Sequence, residues 1–168
     1  MSKLRDSVLR SISAVGDTAQ DMYIKTRMLN EKTAFTETSK FPWGDRDMWH
    51  LKSKDIGTYL FFLDNIMVYA GQGIICTRLG ISLGKYNEYK KKYGRKKVPP
   101  RKTNEKWVIT PKIYNMCGNI KRWSIRCIIF HTGLPKLDKE YAKNTEDQYI
   151  DDYNLRQYGL NTKKGDNT

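Results

Sequence analysis

Between residues 120 and 131 apolar and polar side chains alternate, and this alternation restricts the fold more than any other stretch of the chain. Trp123, Ile125, Cys127 and Ile129 stand at every second position, with Arg122, Ser124 and Arg126 between them. Successive side chains of a strand point to opposite faces, so the pattern predicts a β-strand that hides one face and shows arginines on the other. Ile128 and Phe130 add apolar bulk to the second face, so the far end of this strand is expected to be covered on both sides.

A second strand signal lies in residues 57–73, where the run TYLFFLDNIMVYAGQ is rich in aromatic and β-branched side chains. It reads as two short strands turning at Asp64-Asn65, although periodicity alone does not separate it from a buried helix. Trp107, Val108 and Ile109, ahead of Pro111, read as a further short strand. Leu4, Val8, Ile12 and Val15 recur at three- and four-residue steps, which predicts an N-terminal helical arm over residues 1–30 with a break at Gly16-Asp17. Lys3, Arg5 and Arg10 beside that apolar stripe fit either packing on the core or docking on a membrane surface. Residues 31–55 are polar and irregular, with Pro42 and Gly44 against a continuous helix and Trp43 and Trp49 as core plugs. Near the C-terminus, Tyr149, Ile150 and Tyr153 lie at helical spacing and Gly159 is placed to end that helix. The fold class expected is α+β: a small antiparallel sheet with an N-terminal helical arm and a C-terminal helix. Residues 31–160 form one such domain, and residues 161–168 are expected to be a disordered tail.

At 168 residues, 39 % of them hydrophobic, the chain can bury a core. Its charge is lopsided: 31 Lys and Arg against 18 Asp and Glu, formally +13. Such a surface is attracted to phosphate-rich polymers and anionic lipid headgroups. The excess is concentrated in a basic arm, residues 85–106, which holds ten cations against Glu88 and Glu105. They are Lys85, Lys90, Lys91, Lys92, Arg95, Lys96, Lys97, Arg101, Lys102 and Lys106, the candidate polyanion-binding residues. Gly94 and Pro99-Pro100 make the segment a loop, or a helix followed by an extended arm. Tyr86, Tyr89 and Tyr93 interleave with the charges and are candidates for stacking on unpaired bases. Residues 90–97 also resemble a nuclear-import signal. A second reading is a DNA-binding helix-turn-helix over residues 74–94, with a turn at Gly80-Ile81-Ser82 and a Lys- and Tyr-rich recognition helix. In contrast, the stretch 138–152 carries six acids against Lys139 and Lys143. Its field and that of the basic arm can pair within one molecule or between neighbours, which would give a homo-oligomer.

Catalytic signatures fail one by one. Gly80-Ile81-Ser82-Leu83-Gly84-Lys85-Tyr86 approximates a phosphate loop, but the glycine gap is one residue short and Tyr86 replaces the Ser or Thr that ligates magnesium. Gly71-Gln72-Gly73 lacks the rest of a dinucleotide fingerprint, and neither HExxH nor GxSxG occurs. Asp45, Asp47, Asp55 and Asp64 are scattered as on a solvated face. Three cysteines without close spacing and two distant histidines, His50 and His131, predict neither a disulfide framework nor a zinc site. No cofactor is expected. The N-terminal stretch has no apolar core of signal-peptide length, and the most apolar run, residues 59–70, is about half the ~20 residues of a spanning helix. The expected location is the cytoplasm, with the nucleus open through residues 90–97.

A basic chain of this length, with an N-terminal helical arm, a compact α+β core of twisted strands and no catalytic motif, is similar in layout to the small matrix proteins of plant rhabdoviruses, the cytorhabdoviruses in particular. The resemblance covers size, charge and element order over most of the chain. Val98-Pro99-Pro100-Arg101 departs from the PPxY budding sequence. It implies a non-enzymatic structural protein of the virion that self-associates, condenses the nucleocapsid and bridges it to the inner face of a membrane. Its partners would be RNA or nucleoprotein and a peripheral anionic membrane surface.

Overall fold

The computed structural model describes residues 34–103 and 106–162, and of residues 102, 103, 106 and 107 the backbone alone. The predicted N-terminal helical arm and residues 163–168 of the tail lie outside the described residues. Strands β1 (Phe35–Glu37), β2 (Phe41–Pro42), β3 (Ile56–Leu63) and β4 (Ile66–Ile74) come first. Helix α1 (Ile75–Tyr93), the short pair β5 (Lys102–Thr103) and β6 (Lys106–Trp107), and helix α2 (Ile109–Met116) follow. Strand β7 (Trp123–Phe130) and helices α3 (Pro135–Asp152) and α4 (Leu155–Tyr158) complete the order.

The five-stranded antiparallel sheet runs β1-β7-β3-β4, with β2 continuing the edge that β1 begins along β7. The hairpin read from sequence is present: β3 and β4 meet through Asp64 and Asn65 alone, at φ of 49° and 69°. Positive φ at both turn positions matches the right-handed twist of the flanking strands, and short polar side chains tolerate it best. Past the turn the register slips by one residue between Phe61 and Phe62, leaving Val68 as the extra residue of a bulge. The sheet then continues to a glycine, Gly71, which makes room for a ring: a Cβ there would stand 2.5 Å from the Tyr59 hydroxyl.

Strand β7 has the facing its alternation predicts. Trp123, Ile125, Cys127 and Ile129 join one buried cluster with Tyr59 and Phe61, while Ile128 and Phe130 join another with Leu60 and Phe62. Helices α1 and α2 cover the first face and α3 and α4 the second, so the sheet is sandwiched. Arg126 is not freely displayed: its Nε lies 3.3 Å from Glu37, both side chains about 15 % exposed, and its guanidinium sits over the Phe62 ring. Trp43 and Trp49 are core plugs. Their indole N–H groups donate to the carbonyls of Leu79 (3.4 Å) and Trp43 (3.1 Å).

Four readings need correction. Residues 31–55 are not wholly irregular, because β1 and β2 pair with β7; their short, mixed sequences carry no periodicity to betray a strand. Ile109 opens α2 instead of extending a strand, with Pro111 in the first turn where a missing N–H is harmless. The C-terminal helix is interrupted, since Asn154 adopts the left-handed conformation (φ 55°, ψ 43°) and Gly159 ends only the short α4. Finally, the ordered chain does not stop at residue 160. Asn161 is buried, its side-chain amide donating to the Ala70 carbonyl (2.9 Å) and accepting from the Ala70 N–H (3.1 Å).

Candidate polyanion interface

Helix α1 holds the first half of the basic segment. Ile75, Leu79, Leu83, Tyr86 and Tyr89 recur at three- and four-residue steps and are buried against the sheet and α2. That stripe runs unbroken through residues 80–82, so the turn of a helix-turn-helix is absent and 74–94 contains no separate recognition helix. Gly80-Ile81-Ser82 reads as a turn in sequence, but a helix with a buried stripe on both sides of it is held by tertiary packing. At Gly80 the missing side chain lets the Arg46 guanidinium lie against the helix, 2.1 Å from where a Cβ would stand.

Tyr86 and Tyr89 belong to the core and not to a stacking platform, and Tyr93 is half-buried against them. Tyr86 is fully buried and its hydroxyl donates to the Cys117 carbonyl at 2.7 Å, the same carbonyl that accepts the Trp123 indole N–H at 3.0 Å. Tyr89 is buried beside Tyr114, and Tyr93 packs edge-on to Tyr89 with ring centroids 6.1 Å apart. Sequence spacing of Tyr86, Tyr89 and Tyr93 was itself the signal, since three and seven residues return to one helix face.

With the tyrosines turned inward, the cations are turned outward. Lys90, Lys91 and Lys92 are exposed in the last turn of α1, where the unpaired carbonyls of a helix end favour positive charge. Gly94 (φ 55°) stops the helix, and Arg95, Lys96, Lys97 and Arg101 follow, all exposed. Lys85 is half-buried and lies 3.5 Å from Glu88. The side chains of Lys102 and Lys106 fall among those not described. Among the described residues, none of the seven exposed cations has a carboxylate partner.

The arm is fixed in place by α2, which no sequence pattern announced. The Asn115 side chain accepts from the Val98 N–H (2.7 Å) and donates to the Val98 carbonyl (2.8 Å), a two-point clamp on one buried residue of the arm. The Tyr114 hydroxyl donates to the Gly94 carbonyl where the helix gives way to the arm. Lys97 Nζ donates to the Asn115 carbonyl (2.7 Å) and Lys90 Nζ to the Gly118 carbonyl (3.3 Å). Exposed Met116 and Lys121 neighbour these anchor points in sequence. A mostly polar arm of this kind is thus preorganised, with its charges displayed at fixed positions.

The acidic stretch lies on α3, across the sheet from α1 and α2, so the two fields do not meet within one molecule. Several of its acids have local roles. Asp138 accepts from the Thr132 N–H (2.9 Å) and hydroxyl (2.6 Å), Lys143 bridges Glu146 (2.9 Å) and Asp147 (3.2 Å), and Arg156 pairs with Asp151 (2.8 Å). Burial pushes the Glu146 carboxyl above its ordinary range, against the pull of Lys143. Among the described residues no helix is long and apolar enough to cross a membrane, and no three His, Cys, Asp or Glu side chains are grouped to hold a metal ion. Cys76, Cys117 and Cys127 are free thiols, with burial holding Cys127 well above its usual range. No protein-family model matches the chain, and no curated protein or solved structure matches it either.

Proposed function

We propose that the chain is a non-enzymatic structural protein that binds polyanions through the end of α1 and the clamped arm behind it. The observation that carries this reading is the display of seven exposed cations, Lys90, Lys91, Lys92, Arg95, Lys96, Lys97 and Arg101, with no carboxylate partner among the described residues. Leaving the charges without carboxylates on a fixed scaffold keeps electrostatic attraction for phosphates, and each phosphate neutralised releases counterions. Because Tyr86 and Tyr89 are buried and Tyr93 is half-buried against them, the exposed contacts this surface offers are chiefly to phosphates. RNA or nucleoprotein and an anionic membrane surface both supply such phosphates. A role of matrix type, with self-association between neighbouring molecules, uses both.

The test is a salt titration of binding to RNA, duplex DNA and phosphatidylserine vesicles. Replacing Lys90, Lys91, Lys92, Arg95, Lys96 and Lys97 with Gln should flatten the dependence of log affinity on log salt by about 5 for duplex DNA if each meets one phosphate. An unchanged slope moves the interface elsewhere. Protection of one short duplex sequence by the parent protein would favour specific DNA reading over this one.

A further inference from the structure

The outer edge of β4, the last strand of the sheet, is covered by residues 159–161. Strand β4 reads IMVYAGQGI, without a charge or a proline. Edge strands are ordinarily blunted by such residues, because a bare row of backbone groups recruits another strand. The opposite side of the sheet follows that rule: Glu37, Lys40 and Pro42 lie in or between β1 and β2. On β4 the protection comes from residues 159–161. The Leu160 N–H donates to the Val68 carbonyl at 2.7 Å, and the Asn161 side-chain amide exchanges two hydrogen bonds with the N–H and carbonyl of Ala70. One backbone donor and one side-chain amide thus copy the bonding of a neighbouring strand. Gly159 lets the plug approach this closely, since a Cβ there would lie 2.4 Å from the Val68 carbonyl oxygen. Three hydrogen bonds hold the plug on the β4 edge, and Leu160 packs, partly buried, against the first cluster.

We propose that residues 159–161 are a removable plug on the β4 edge, and that the occupant of the opened edge is β4 of a second copy. Two antiparallel β4 strands related by a two-fold axis satisfy the freed groups of Val68 and Ala70 reciprocally, and the two sheets become continuous. The bulge at Val68 sits beside the plug and sets which residues face outward. This interface is built of backbone hydrogen bonds and does not rest on the polyanion reading.

Full-length Gly159→Val and Asn161→Ala variants test it, with sedimentation velocity over a hundredfold concentration range at about 0.5 M salt, where charge contacts are screened. Amide hydrogen exchange at Ala70 is followed in parallel. The expected result is fast Ala70 exchange at low concentration and a dimer at high concentration in which the Ala70 amide is protected again. A variant that stays monomeric throughout overturns the proposal, whether or not Ala70 is exposed. So does loss of the near-UV signal of the buried tryptophans Trp43 and Trp123, because residues 159–161 would then be holding the core instead of covering an edge. Asn161→Asp keeps the acceptor for Ala70 but removes the donor, and it should dimerise less than Asn161→Ala. The reverse order would show that the side-chain bonds to Ala70 are not what closes the edge.

Discussion

Removing the Asn115 amide separates the scaffold of the basic arm from its charge. Asn115→Ala deletes two hydrogen bonds, of 2.7 and 2.8 Å, to the backbone of Val98, a residue only 4 % exposed. A hydrogen bond contributes about 1 kcal/mol net, and a buried group left without a partner costs roughly 1–3 kcal/mol. With two such groups on Val98, each costing roughly 1–2 kcal/mol, the pair should be worth about 2–4 kcal/mol. For a domain of this size each kcal/mol shifts the melting temperature by roughly 2–4 °C, so thermal melting should fall by about 4–16 °C. The amide of Val98 should lose its exchange protection in the same variant. No charge is removed, so the salt slope of polyanion binding should hold while affinity at fixed salt falls several-fold, reflecting a cost of ordering the arm on binding. Asn115→Asp keeps the acceptor for the Val98 N–H and loses the donor, and should lie between parent and Ala variant. Parental melting and exchange in Asn115→Ala would refute the clamp, and a reduced salt slope would refute the division between scaffold and charge.

Other outcomes follow from the same structure. Ile125→Ala, at a fully buried position of β7, should destabilise by about 2–5 kcal/mol through lost burial and the cavity left behind, measured by denaturant unfolding. Gly84→Ala should stabilise by about 0.5–1 kcal/mol, because Gly84 sits inside α1 with open space where a methyl group would go; a loss of stability would mean the helix is bent there. Burial raises the Glu146 carboxyl, so the folded state holds this proton more tightly than the unfolded one and its contribution to stability falls as pH rises through the carboxylate range; Glu146→Gln should flatten that fall. Burial likewise pushes Tyr59 up to about 12 and Tyr69 well above its usual range, so stability should drop as pH climbs from about 10 toward 12, and ultraviolet titration should show these phenols ionising only with unfolding.

The chain's sequence determined those features whose physics is local. The two-residue alternation of Trp123, Ile125, Cys127 and Ile129 was enough to place β7 and its facing, because pleating ties side-chain direction to residue parity. Asp64-Asn65 between two apolar runs marked the turn, because few residue pairs accept positive φ twice, but the pairing of β3 with β4 was needed to choose the hairpin over a buried helix. The concentration of charge in residues 85–106 was equally plain, since a count of ionisable groups needs no fold. Tertiary structure decided the rest. Whether residues 74–94 made one helix or two depended on whether the apolar stripe met a continuous partner, and the β3–β4 face together with α2 supplied one. The same contact turned Tyr86 and Tyr89 from a candidate binding surface into core and left Tyr93 half-buried against them, because an aromatic ring gains free energy on leaving water. Asn115 on Val98 and Asn161 on Ala70 join residues 17 and 91 apart in the chain. An asparagine in sequence is only a donor and an acceptor; which backbone it satisfies is known when the fold has brought that backbone within hydrogen-bonding distance.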